Sequence, residues 1–258
     1  MNGTWKAAKL SSLLLSLLIA GCATGAPVST IKPTASSGSG SAVRSATPAD
    51  AAPGSVTDLL TGGRYLFRPL EEVPSLTIVA TGPAGWRGFP SYAMDGPDPV
   101  GIGAPSGIGI AFLSADGMYS DPCHWDLLGN GVEGQPSDVV VGPAVDDLVT
   151  ALRANTFYKS SAPTPVTIDG YAGQELEIQL PDDSFTTCDK TPGDADGHAF
   201  VFSGKAGLFV YGPSNRWHLF ILDVEGTRLL AVVFSYEGTP QTDLDTAQNV
   251  IDTMDINP

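Results

Sequence analysis

Basic residues are scarce in this chain: Lys and Arg number 13 against 28 Asp and Glu, a formal charge of -15 over 258 residues. A field of that sign repels phosphate backbones and anionic headgroups, so nucleic-acid binding is excluded as a function. Cysteine and histidine are equally thin, three of each. No C-x-x-C pair occurs and the histidines have no ligand-like spacing, so no metal and no cofactor is expected. No G-x-S-x-G elbow of a serine hydrolase appears in the domain. Past the first two dozen residues there is no long apolar run, which excludes a polytopic membrane protein. Wholesale disorder is also excluded, because 42% of residues are hydrophobic and 8% aromatic. What remains is an acidic chain with room for one globular domain plus accessory segments.

The first of those segments is an export leader, residues 1–21. Lys6 and Lys9 supply its positive end, and residues 10–20 form an apolar stretch broken only by serines, too short to span a bilayer as an ordinary helix. The following Ile19-Ala20-Gly21-Cys22 resembles the bacterial lipoprotein lipobox, in which a branched apolar residue and two small residues precede an obligatory Cys. The resemblance covers only the leader and implies cleavage before Cys22 and lipidation of its thiol. Two or more acyl chains of the palmitate type hold a protein stably on a membrane where a single chain does not. Localisation is then the extracytoplasmic face of the cell membrane, with Cys22 as the anchor. Loss of the leader removes two lysines and no acid, so the mature chain is more acidic still.

Residues 22–62 carry the lipidated Cys and a linker dominated by Ala, Ser, Thr, Gly and Pro, including Ser36-Ser37-Gly38-Ser39-Gly40-Ser41. Little there can be buried to offset backbone ordering, so it reads as a flexible tether, with a short helix near residues 56–60 as its one structured candidate. The domain proper is residues 63–258. Strand patterns cover residues 65–67, 76–80, 108–113, 166–168, 175–180 and 199–202. Glu175, Glu177 and Gln179 alternate with Leu176, Ile178 and Leu180, one face wet and one dry. Residues 217–222 and 228–234 flank a turn containing Gly226, a hairpin whose strands are apolar on both faces and therefore central. Two helices complete the set. Val145, Leu148, Val149 and Leu152 share one face of the first; Leu244, Ala247, Ile251 and Met254 share one face of the second, with Thr242 as its expected cap. The fold class is α+β, a mostly antiparallel sheet with packed helices.

Once Cys22 is lipidated, Cys123 and Cys188 are the one pair left in an oxidising compartment, and an even count there reads as a disulfide closing the single domain. Around them, Asp121-Pro122-Cys123-His124-Trp125, the helix at 145–152, Thr164-Pro165-Val166-Thr167-Ile168-Asp169-Gly170-Tyr171-Ala172-Gly173 and Cys188-Asp189 together resemble secreted or membrane-attached actinobacterial proteins that have no assigned activity. The likeness covers about residues 120–258 and implies no active site. In its order of strands and closing helix the chain is also loosely similar to small Mog1/PsbP-like α/β/α modules of mycobacterial lipoproteins, a likeness of architecture alone.

Three chemistries have candidate residues in the sequence. Gly101-Ile102-Gly103-Ala104-Pro105-Ser106-Gly107 places its third glycine too late for a dinucleotide loop and reads as a connection into the 108–113 strand. Asp194-Ala195-Asp196-Gly197 lacks the terminal carboxylates of an EF-hand and reads as a polar turn. Ser106 with His124, His198 or His218 as base would make a hydrolase acting on an envelope substrate, the alternative function; it requires a cleft where these groups meet. Binding surfaces are the simpler expectation. Trp86 and Trp125, with His124, lie in Gly- and Pro-rich contexts where aromatics can anchor a small molecule, a glycan or an envelope protein; packing beneath a loop is their alternative, and Trp217 reads as core. The function expected is a membrane-anchored lipoprotein with a non-catalytic binding or interaction domain.

Overall fold

Apolar residues at both parities of two neighbouring strands need cover on two sides, and the computed structural model provides it. It describes residues 49–50, 58–69, 76–89, 92–97, 107–182, 185–194, 197–203, 209–210 and 214–258. In chain order the elements are β1 (Ala49–Asp50), β2 (Asp58–Leu59), β3 (Arg64–Phe67), β4 (Thr77–Thr81), β5 (Arg87–Phe89), β6 (Ala93–Asp95), β7 (Ile108–Leu113), β8 (Gly117–Met118), β9 (Val139–Val140), α1 (Val145–Ala154), β10 (Lys159–Ser160), β11 (Thr164–Ile168), β12 (Tyr171–Gln179), β13 (Ala199–Phe200), β14 (Phe209–Val210), β15 (Arg216–Val224), β16 (Thr227–Ser235), α2 (Gln241–Asp252) and β17 (Asp255–Asn257). The large sheet runs β10-β12-β15-β16-β7-β6-β5-β2 with β11 also on β12, and every described pairing in it is antiparallel. A second sheet, β1-β3-β4-β17, holds the one described parallel pair, β1 with β3.

The register Val224↔Thr227 leaves Glu225 and Gly226 as a two-residue turn, with φ of 53° and 85°. Positive φ at both positions is the primed hairpin geometry whose twist suits the flanking strands, and Gly226 adopts it without strain. Along β15, Trp217, Leu219 and Ile221 point into one core with Leu148, Val149 and Leu152 of α1. Phe220, Leu222 and Val224 point into the other, with Ala247, Val250 and Ile251 of α2 and with Phe67, Ile78 and Ala80 of the small sheet. The hairpin is thus covered on both faces, as its pattern required.

Both helices form where the periodicity placed them, with differences at their ends. In α1 the N–H of Ala144 donates to the Asp147 carboxylate, 3.1 Å, which caps the first turn. Arg228 of β16 reaches under that turn, donating to the carbonyls of Gly142, Ala144 and Ala115, and is buried. In α2 the helix begins at Gln241 behind Pro240, so Thr242 lies inside the first turn and is not the cap. Pro240, at φ -58° and ψ 142°, sets the entry instead. Val250 joins the buried face, and Met254 is buried just past the helix end.

Three further differences concern the amino-terminal half. The folded body starts before residue 63: β2 pairs with β5, Leu60 is buried, and residues 58–59 form a strand and no helix. The Gly- and Pro-rich context of Trp86 holds a strand, β5, and a further strand, β6, follows it without a pattern in the sequence to announce it. β17 returns to pair with β4 after α2, burying Ile256. Signal residues 1–21, Cys22, residues 23–48 of the tether, and the glycine run at 101–106 with Ser106 all lie outside the described residues. No helix among the described residues is long and apolar enough to cross a membrane.

Candidate functional site

The segment between β8 and β9 carries the motif that stood out in the sequence. Asp121 turns the chain: its carboxylate accepts the Cys123 N–H at 3.1 Å and faces His124 Nδ1 at 2.8 Å, while its carbonyl accepts the His124 N–H. Cys123 is joined to Cys188 by a disulfide. Backbone bonds continue the join, from Asp189 N–H to the Cys123 carbonyl and from Phe200 N–H to the Pro122 carbonyl, both 2.9 Å.

This arrangement carries Trp125 inward. Its indole is fully buried, donates to the His198 carbonyl at 3.0 Å, stacks on the His198 ring and meets Phe200 edge-on. With Tyr119 and Phe200 it makes a small core of its own. Trp125 therefore offers no face to a ligand, and the packing alternative describes it. Trp86 is buried in the same way: the Leu60 N–H donates to its carbonyl, and its ring sits in the core shared by α2 and the small sheet. Trp217 is core as expected.

His124 alone of the proposed surface residues is exposed, with 63% of its side chain accessible. The hydrogen bond to Asp121 raises its pKa; partial burial opposes the rise, and the Asp121 and Asp189 charges add to it. His198 goes the other way, lowered by burial, although Asp194 and Asp189 oppose the shift. These two histidines share the charge of Asp189. His218 is elsewhere, on β15, its Nε2 at 3.1 Å from Glu175. The structure thus brings two of the three histidines to the disulfide and leaves the third on the opposite face of the sheet from α1. Ser106 lies outside the described residues, and so do Ala195 and Asp196 of the polar turn.

The residues that the sequence reading missed come next along the chain. Gln135 is 4% exposed, and its side chain is fully engaged: Oε1 accepts the Leu128 N–H at 2.8 Å, while Nε2 donates to Asp126 and to Asn130 Oδ1. Asp126 also accepts the N–H groups of Asn130 and Gly131, at 3.0 and 2.7 Å, which with Gln135 holds its carboxyl below the usual carboxylate range. The Asp126 N–H donates to the Asp189 carboxylate at 2.8 Å, tying the loop to the disulfide. Gly131 has φ of 65°, and a Cβ there would press within 2.8 Å of Pro192 Cδ. Residues 126–135 are therefore a loop wrapped around a buried amide. Its apolar side chains face outward: Leu127 is 49% exposed, Leu128 67% and Val132 57%. The signal available in the sequence was the spacing Gly129-Asn130-Gly131 and Gly134 between Asp126 and Gln135.

Two grooves stand out elsewhere among the described residues. One of about 530 Å³ opens between the start of α1, Ala172–Gln174 of β12 and the end of the hairpin. Its carboxylates are already engaged, Asp146 by Gln174 Nε2 and Asp223 by the Gly226 N–H. The other, about 260 Å³, lies beside His218 and the start of α2. Among the described residues no group of three His, Cys, Asp or Glu is placed to hold a metal ion.

No protein-family model matches the chain, and no curated protein matches it. Among solved structures it is similar to LpqN, described as involved in cell envelope biogenesis of Mycobacterium tuberculosis. The likeness covers 76% of this chain and 86% of that one, at 11% sequence identity and a TM-score of 0.30. A likeness of that size carries no argument about what this chain does.

Proposed function

We propose that the protein is a lipoprotein held on the extracytoplasmic face of the cell membrane through Cys22, and that its domain is a non-catalytic binding or interaction module. The anchor rests on the leader and on Ile19-Ala20-Gly21-Cys22; the Cys123–Cys188 disulfide supports an oxidising compartment. The observation that carries the module reading is the 126–135 loop, in which Asp126, Asn130 and Gln135 bond one another and the loop backbone while three apolar side chains stand in water. Single exposed leucines are ordinary on a protein surface; a fixed loop that turns its apolar side chains outward as a set marks a contact surface.

The tether suits that role. A Gly- and Ser-rich chain of some forty residues has an r.m.s. reach of about 35 Å, enough to present a domain away from the bilayer, whose anionic headgroups its charge repels. Membrane fractionation of the Cys22→Ala variant tests the anchor: release into the soluble fraction is expected, and persistent membrane association contradicts it. Native mass spectrometry of the full chain, gently extracted, tests the module, which is expected to retain a noncovalent mass. A bare chain that also forms no cross-link to any envelope component contradicts the reading.

A further inference from the structure

We propose that the 126–135 loop docks a protein partner whose surface carries an apolar pocket with a basic rim. This rests on the interaction-module reading and gives it a site and a partner chemistry. The first support is that the loop is shaped in advance. Five consecutive N–H groups, from Leu128 to Val132, find acceptors within the loop itself: Gln135 Oε1, the Asp126 carbonyl, the two Asp126 carboxylate oxygens and Asn130 Oδ1. A segment ordered before binding does not lose that entropy when it docks.

The second support is direction. Gln135 is buried and bonds the side chains of Asp126 and Asn130, while Leu127, Leu128 and Val132 face outward, with exposed Glu133 beside them. A connection whose only task is to join β8 to β9 in water gains nothing from that orientation.

The third support is the charge beside those side chains. Glu133 follows Val132 directly, and its carboxyl is raised by burial and by the nearby Asp194. Gly131 lies against Pro192, so the turn carrying Asp194, half exposed, flanks the loop. Asp189 sits at the loop's base, holding the Asp126 N–H. Lys190 is the cation of that turn, outnumbered by the three carboxylates. An apolar centre beside carboxylates is complementary to an apolar pocket bordered by Arg or Lys. The same carboxylates disfavour an anionic lipid surface, and a second copy would bring the same acids to the contact.

Photo-cross-linking in the native envelope tests this, using the full chain with a benzophenone side chain introduced at position 128 or 132 and a control at the exposed position 249 of α2. Protein adducts are expected at 128 and 132 and not at 249, with the cross-linked partner peptide carrying Lys or Arg beside apolar residues. Reversing the rim with Glu133→Lys and Asp194→Lys is expected to cut adduct yield about fivefold or more, as loss of complementary charge slows encounter. Unchanged thermal unfolding of the variants establishes that the fold is intact. Adducts to lipid or to a second copy overturn the proposal, as does a yield no higher than at 249 or indifferent to charge reversal. Partner adducts confined to 249 would leave the module reading standing while this site falls.

Discussion

In the β15–β16 hairpin, apolar side chains fill both faces and the polar turn Glu225-Gly226 stands in water, whereas in the 126–135 loop a buried Gln135 bonds Asp126 and Asn130 while Leu127, Leu128 and Val132 stand in water. The hairpin draws its stability from burial and a two-layer core. The loop draws its shape from side-chain oxygens that accept its own backbone N–H groups, and from the disulfide at its base. Hydrophobic pattern thus fixes where the sheet lies, and local polar chemistry fixes what the 126–135 loop displays. A core built the first way tolerates little change; a surface built the second way can change its outward side chains at small cost to the fold.

The largest expected effect lies in the hairpin. Trp217→Ala removes a fully buried ring from the core beneath α1 and is expected to cost about 3–5 kcal/mol in denaturant unfolding. Removing the disulfide with Cys123→Ser and Cys188→Ser opens a loop of 65 residues and is expected to cost about 4 kcal/mol on the chain-entropy account, with the loss centred on the loop region. If the core and the loop are held independently, Trp217→Ala and the disulfide variant should add when combined.

Asp95 of β6 is a buried carboxyl inside the sheet. Burial pushes its carboxyl up to about 7 against the opposing charge of Arg87, its partner across β5 and β6. The folded chain then holds a proton that the unfolded chain releases near 3.8, so this contribution is full below that value and is lost as pH rises through about 7. Unfolding free energy measured from pH 4 to pH 8 is expected to fall with rising pH, by no more than about 4 kcal/mol from this group, and Asp95→Asn is expected to flatten that slope. The smallest expected change is in the loop: Gln135→Ala leaves Asp126 and the Leu128 N–H short of partners and is expected to cost about 1–3 kcal/mol while sparing the core.

The contrast between the two regions also explains what could be read from the sequence. Residues 108–113 and the hairpin were legible because unbroken apolar runs permit few other arrangements, and the face of α1 followed from its spacing at i, i+3, i+4 and i+7. The Cys123–Cys188 pair followed from parity once Cys22 was set aside. β5 and β6 were missed because three-residue strands have no period to detect, and their pairing with β2 and β7 is decided at long range. The same pairing buried Trp86, and a loop-like composition around Trp125 concealed that its N–H would find the His198 carbonyl 73 positions away. Gln135 had no pattern at all, because a polar residue becomes the centre of a loop only through the bonds the loop closes around it.

Amide hydrogen exchange across residues 126–135 tests the central claim, that this loop holds its shape before anything docks on it. The account predicts slowed exchange at the amides of residues 128–132, despite their exposed position, and collapse of that protection in Gln135→Ala while the β15–β16 amides stay protected. Exchange at the unprotected rate in the unaltered protein would contradict it, and would make Leu127, Leu128 and Val132 side chains of an ordinary mobile connection.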